Sequence, residues 1–248
     1  MTRKHIHNPT VTLLMQTCGG HQHKIGRAVR SFLDQAYRDC YLLIVNTHPA
    51  PLTFAAGTPR NVLIHNVRDI FTRPVEQHMY SEGLVFTDCW SILDDDDSIA
   101  SNHVQQLVEF WNTVESRTEK PLQVISPHIM ACYPNGAKEM DCAGWMCSLF
   151  ERLTREEIAY VYKLFPANLI CGDDSWIATN TYFDRREFDG RRTYYWDRCG
   201  ASHVSAHETR NEGKIEDHYW YARNYWKLKL EAQAAELRPV DLGKENDE

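Results

Sequence analysis

Four consecutive carboxylates, Asp94-Asp95-Asp96-Asp97, follow directly on the apolar run Cys89-Trp90-Ser91-Ile92-Leu93. Adjacent negative charges repel one another unless a cation or hydrogen bonds compensate them, and a hard divalent ion prefers oxygen ligands. The chemistry suggested is therefore a Mg²⁺ or Mn²⁺ site. A solvated acidic loop is the ordinary alternative. The run abuts a buried strand and precedes Ser98-Ile99-Ala100-Ser101, read as the start of a helix, and that context favours the metal. Phosphohydrolases and nucleases also use such clusters, so the aspartates alone leave the reaction open.

A second stretch carries chemistry of another kind. Arg185, Arg186, Arg191, Arg192 and Arg198 surround Tyr194, Tyr195 and Trp196. Basic residues interleaved with aromatics suit a phosphate backbone with an exposed base. Asp184, Glu187, Asp189 and Asp197 lie in the same stretch and suit a solvated mixed-charge loop equally well. The eight cysteines show no Cys-x-x-Cys pair, which argues against a zinc ribbon or a disulfide framework and for reduced thiols. His5, His7, His21 and His23 have no ligand-like context and read as surface residues.

The elements that would position these groups alternate in type. Val11 to Thr17 is a β-branched apolar run stopped by Cys18-Gly19-Gly20, a buried strand and a turn. Ile25, Ala28, Val29, Phe32 and Leu33 recur at helical spacing, and Tyr41 to Val45 is again strand-like. Asn61 to His65 and Val85 to Leu93 supply two more strands. Val104, Leu107, Val108 and Trp111 mark a helix over His103 to Val114, Leu122 to Ile125 returns as a strand, and Arg155 to Leu164 and Tyr219 to Leu237 read as helices. Such alternation predicts an α/β fold with a mostly parallel sheet flanked by helices.

At 248 residues and 43% hydrophobic content the chain can bury a full core. A formal charge of −7 does not suggest nucleic-acid binding by overall attraction. No stretch approaches the apolar length of a membrane span and the N-terminus lacks a signal-peptide hydrophobic region, so a cytoplasmic protein without a membrane partner is expected.

Several motifs together resemble one family. The strand Val11 to Thr17, the helix Arg27-Ala28-Val29-Arg30-Ser31-Phe32-Leu33-Asp34-Gln35-Ala36-Tyr37 and the strand Leu42 to Val45 are similar to the opening of the family 2 glycosyltransferases of the GT-A fold. That family shows Ala-x-x-Ser-x-Leu-x-Gln-x-Tyr on this helix. Leu93 to Asp97 resembles its Leu-Asp-x-Asp-Asp segment, and Gly172-Asp173-Asp174-Ser175-Trp176 its Gly-Glu-Asp segment. Where the family carries an Asp after the second strand, this chain has Asn46-Thr47-His48. Its Tyr-Asn in the first loop is Cys18-Gly19 here, and Arg73-Pro74-Val75-Glu76-Gln77-His78 occupies the stretch of its Ala-Arg-Asn segment.

The resemblance implies a single GT-A, Rossmann-like domain over 1–248, with a nucleotide-sugar-binding half (1–110), an acceptor and catalytic half (111–210) and a C-terminal helix and tail (211–248). It implies an inverting hexosyltransferase that uses a UDP-sugar and Mn²⁺ or Mg²⁺. Asp94 would contact the donor's ribose or base, with Asp95, Thr17, Asn46 and Arg73 also on the donor side. Asp96 would bind the metal, with a late histidine, His207 or His203, as a further ligand. Asp174, preceded by Asp173, would be the general base toward the acceptor hydroxyl. The small format is similar to bacteriophage-type DNA glycosyltransferases, which implies 5-hydroxymethylpyrimidine in DNA, flipped from the duplex, as acceptor and a host-cell cytoplasm as location. A glycan or small-molecule acceptor is the alternative. A metal-dependent phosphohydrolase and a non-catalytic binding module are the readings from other classes.

Overall fold

The structure, a computed structural model, describes residues 3–17, 22–67, 83–115, 117–126, 128–133, 136–141, 147–164, 182–197 and 236–243. Strand β1 (Val11–Thr17) leads to helix α1 (Gln22–Leu33) and then to strand β2 (Cys40–Asn46). Strands β3 (Val62–Asn66), β4 (Cys89–Ile92) and β5 (Ser98–Ile99) precede helix α2 (His103–Asn112). Strands β6 (Leu122–Ile125), β7 (Ile129–Cys132), β8 (Lys138–Asp141) and β9 (Ser148–Glu151) follow. Helix α3 (Arg155–Leu164) and strands β10 (Asp184–Glu187) and β11 (Tyr194–Asp197) complete the order.

Among the described residues the main sheet has seven strands in the order β10-β6-β9-β4-β1-β2-β3. Every neighbouring pair is parallel except those of β9, which runs antiparallel between β4 and β6. The sheet is buried on both faces, which is why its strands read as continuous apolar runs. One face carries Val11, Leu13, Met15, Leu42 and Ile44 against Ile25, Ala28, Val29 and Phe32 of α1 and Val104, Leu107, Val108 and Trp111 of α2. The other carries Leu14, Leu43, Val45, Trp90, Ile92 and Phe150. There the cross-strand partners Trp90 and Phe150 stack with ring centroids 4.4 Å apart. Each such fully buried large side chain stabilises the fold by roughly 1.5–3 kcal/mol.

A second sheet of four strands, β5-β11-β7-β8, stands beside the first. Strand β5 follows directly on the four aspartates, so the run Asp94–Asp97 is the crossing from one sheet to the other. The expected helix start at Ser98 to Ser101 is therefore corrected. Ser98 and Ile99 pair antiparallel with Tyr195 and Tyr194, and α2 begins only at His103. Strand β4 is also shorter than the run Val85 to Leu93. Ahead of Cys89, the Asp88 carboxylate accepts from the Thr10 N–H and hydroxyl at 3.0 and 2.8 Å, replacing ladder bonds by side-chain ones.

Two further local features follow from side-chain chemistry. At the start of α3, the Thr154 N–H donates to Glu157 and the Glu157 N–H to the Thr154 hydroxyl, a reciprocal cap that satisfies two otherwise orphaned donors. Near the C-terminus, Val240 bridges to Phe54 in parallel fashion. Gly26 permits this approach, because a Cβ there would stand 3.0 Å from the Asp241 carbonyl oxygen. The expected helix over Tyr219 to Leu237 lies outside the described residues except for Glu236 and Leu237, which are not helical.

His5 is not a free surface residue. Its ring stacks on Trp111 with centroids 5.9 Å apart, and its Nδ1 lies 3.1 Å from the Arg117 guanidinium. Cys40, Cys89, Cys132 and Cys147 are free thiols. Burial pushes the Cys40 thiol up to about 11.

Candidate functional site

The strand order places a switch point beside β1. Successive units step outward from β1 to β2 and β3, and the chain then returns to β4 on the other side of β1. In open α/β sheets ligands bind in the crevice outside the carboxyl ends of the strands at such a point. The register makes this specific. Ile92 is opposite Leu14, and the Leu93 N–H extends the ladder to the Leu14 carbonyl at 2.9 Å. The aspartates therefore begin at the level of the last residues of β1, beside Thr17 at its carboxyl end.

The third wall comes from the end of β2. The Thr47 N–H and hydroxyl donate to the Thr17 carbonyl at 2.9 and 3.2 Å. Asn46 is wholly buried, and its amide donates to Ala50 and to Asn66 at 2.9 and 2.8 Å while accepting the His48 N–H at 3.0 Å. The Asn46 side chain thus shapes the loop 46–50 that borders the crevice. His48 accepts the Ala50 N–H on Nδ1 at 3.0 Å, so a neutral His48 carries its proton on Nε2.

The aspartate loop is held from two directions. From α1, Arg27 donates to the Asp96 carbonyl oxygen. The Ser31 hydroxyl accepts the Ile99 N–H at 3.2 Å, and Gln35 donates to the Ala100 carbonyl at 2.7 Å while accepting the Val104 N–H at 3.1 Å. The last bond caps the N-terminus of α2 from a distant side chain, in place of the usual neighbouring residue. From β11, the Tyr194 hydroxyl donates to Asp97 Oδ2 at 2.8 Å and accepts the Asp94 N–H at 3.1 Å.

Burial grades the four carboxylates. Asp94 is half-buried, whereas Asp95, Asp96 and Asp97 are exposed by 7%, 5% and 0%. Tyr194 is fully buried, and burial together with the Asp97 and Asp94 charges holds its hydroxyl well above the ordinary phenol range, so it remains a donor. Burial and the Asp97 charge likewise hold the Cys147 thiol well above its ordinary value. Among the described residues no group of three or more His, Cys, Asp and Glu side chains could hold a metal ion as a ready cage. The donor set is nevertheless all oxygen and nearly buried, which fits Mg²⁺ or Mn²⁺ held by one or two carboxylates together with substrate phosphates.

The structure therefore places Thr17, Asn46, Asp94, Asp95 and Asp96 at the carboxyl ends of the neighbouring strands β1, β2 and β4. Arg73, Asp173, Asp174, His203 and His207 lie outside the described residues. Gln35, Ser31 and Thr47 were not singled out from the sequence as site residues, and Tyr194 was noted only among aromatics that could stack on a base. Ser31 and Gln35 had a signal, since both stand at named positions of the helix motif.

The arginine and aromatic stretch requires correction. Tyr194 and Trp196 are exposed by 0% and 9% and belong to the core, so neither offers a face on which a base could stack. Arg185 and Arg186 pair within β10 with Glu187 and Asp184 at 2.7 and 3.1 Å. Alternation along β10 and β11 explains the pattern: two short strands occupy most of what reads as a solvated mixed-charge loop, with the exposed Arg191 and Arg192 between them and Arg198 outside the described residues.

Solved structures share this architecture. The crystal structure of S. aureus TarS 1-349 superposes with a TM-score of 0.53 at 9% identity, covering 90% of this chain and 80% of that one. The chain has a GT-A glycosyltransferase fold. TarS 1-349 in complex with UDP-GlcNAc gives 0.53 at 10% identity, covering 90% of this chain and 73% of that one. The complex with UDP gives 0.52 at 11%, covering 88% and 70%. No protein-family model matches the sequence, and no curated protein matches it either. The GT-A fold thus accounts for the mostly parallel sheet and for the position of the aspartates at its switch point.

Proposed function

We propose that this chain is a metal-dependent inverting glycosyltransferase that moves a sugar from a nucleotide-sugar donor, a UDP-sugar, to an acceptor hydroxyl. The observation that carries the reading is the run Asp94–Asp97, nearly buried at the carboxyl end of β4 beside the end of β1. Support comes from the likeness in fold to a protein solved with UDP and with UDP-GlcNAc.

In this reading Asp96 holds Mn²⁺ or Mg²⁺, with His207 as a further ligand, and Asp94 contacts the donor's ribose or base. When bound, the cation supplies countercharge to the diphosphate leaving group. Thr17, Asn46 and Asp95 form or shape the walls of the donor crevice, and Arg73, which lies outside the described residues, is a further donor-binding residue of this reading. Asp174, with Asp173 beside it, takes the proton of the acceptor hydroxyl as that oxygen attacks the anomeric carbon, giving one displacement with inversion. With Tyr194 and Trp196 in the core, only the half-buried Tyr195 of the three aromatics is left to stack on a base of a DNA acceptor. A hydroxyl of a glycan or small molecule becomes the acceptor class we favour.

The test is a donor screen. The full chain is incubated with Mn²⁺ and a panel of nucleotide sugars, with and without hydroxymethylated DNA, and nucleoside diphosphate release is followed. Release from a UDP-sugar without dependence on DNA is expected. Release from no donor would overturn the reading, and release only with DNA would restore the nucleic-acid acceptor.

A further inference from the structure

We propose that Tyr194 is a positioning residue of the donor site, setting through its hydroxyl the shape of the Asp94–Asp97 turn and so the place at which Asp96 meets a divalent cation. The proposal rests on the glycosyltransferase reading above and deepens it. One hydroxyl spans both ends of the acidic run, accepting from the Asp94 N–H at 3.1 Å and donating to Asp97 Oδ2 at 2.8 Å. A third bond, Asp97 N–H to the Asp94 carbonyl at 3.2 Å, closes the turn beneath Asp95 and Asp96.

The phenol is itself fixed. Tyr194 is opposite Ile99 in the β5–β11 ladder, its ring is fully buried, and it meets the His103 ring edge-on at 5.8 Å between centroids. His103 is in turn bonded to Thr193 at 2.8 Å. A hydroxyl held this firmly transmits the position of the second sheet to the aspartate loop. It also separates the duties of the carboxylates: Asp97 is the buried anchor that receives the hydroxyl, and Asp96 is the group presented to the cation. Residues that orient a metal-binding carboxylate typically change metal affinity by about 10–100-fold when removed.

The experiment titrates Mn²⁺ into the full chain with UDP present and follows free Mn²⁺ by electron paramagnetic resonance, with thermal melting of each variant by circular dichroism. Tyr194→Phe keeps the ring and removes the hydroxyl, and is expected to weaken Mn²⁺ binding at least about tenfold. Tyr195→Phe, whose ring lies beneath the Lys138 ammonium at 5.6 Å, should match wild type. Asp97→Asn retains an acceptor for the hydroxyl and Asp97→Ala does not, so Asn should keep most of the affinity and Ala should lose it, by no more than Tyr194→Phe, which also removes the bond from the Asp94 N–H. The double variant Tyr194→Phe with Asp97→Ala should lose no more than Tyr194→Phe alone, because that substitution already removes the bond to Asp97.

Wild-type affinity in Tyr194→Phe would overturn the proposal while leaving the donor site intact. An Asp97→Asn variant as weak as Asp97→Ala would also overturn it, by making Asp97 a direct ligand. If Tyr194→Phe does not fold, the two Asp97 variants decide. Failure of the wild-type chain to bind Mn²⁺ with UDP would overturn the glycosyltransferase reading itself, and this proposal with it.

Discussion

The Gln35 side-chain amide donates to the Ala100 carbonyl at 2.7 Å across 65 positions of sequence. The same side chain donates to the Ser31 carbonyl at 2.9 Å and accepts the Val104 N–H at 3.1 Å. With Ala36 N–H bonded to the Ser101 carbonyl at 2.7 Å, the turn that follows α1 fixes the segment that leaves the aspartates and starts α2.

Replacing Gln35 with Leu would leave buried backbone groups without partners, each costing about 1–3 kcal/mol. A loss of about 3 kcal/mol is expected, read as a lower urea midpoint with an unchanged slope. An unchanged midpoint would show that the Gln35 bonds contribute nothing net.

A second prediction concerns acid. Burial lowers the His103 pKa to about 3, against an unfolded value of 6.5. Between these values the unfolded chain binds a proton that the folded one does not. Stability from this group is therefore complete above about 6.5 and is lost as pH falls toward 3, by up to about 1.4 kcal/mol per pH unit. In His103→Gln the fall in melting temperature between pH 6.5 and 4 should be shallower than in wild type. Parallel pH profiles would remove His103 as the cause.

The other end of the sheet should affect stability alone. Glu151, opposite Cys89 at the start of β4, accepts from Arg3, from Arg117 and from the Leu122 N–H at 2.7 Å. The Arg117 side chain is only 5% exposed, so Glu151→Gln would strand a buried guanidinium, at a cost of about 3–5 kcal/mol. Chemical denaturation should show that loss, while UDP affinity of the folded variant at low temperature should not move. A changed affinity would couple this network to the crevice.

The parts of this fold that could be read from sequence are those whose residues are buried on both sides of a parallel sheet. Val11 to Thr17 and Cys40 to Asn46 show themselves as apolar runs, and α1 by the spacing of Ile25, Ala28, Val29 and Phe32. Strands of four residues with charges on them, such as Lys138–Asp141 and Asp184–Glu187, carry no such pattern, because they pair at sheet edges where one side is polar. Ser98 and Ile99 form a strand only because Tyr194 and Tyr195 come to pair with them. The aspartates were legible as a group from their position after a buried strand. The separate place of Asp97 as the anchor of the run was not, since it depends on a hydroxyl 97 positions away.

The central claim is a cation-assisted nucleotide site at the end of β4, and calorimetric titration of UDP into the full chain, with Mn²⁺ and with the metal chelated, tests it most directly. The account predicts binding that is at least about tenfold tighter with Mn²⁺, an enhancement lost in Asp96→Ala. UDP binding of equal strength with and without Mn²⁺, or an Asp96→Ala variant that keeps the full enhancement, would contradict it.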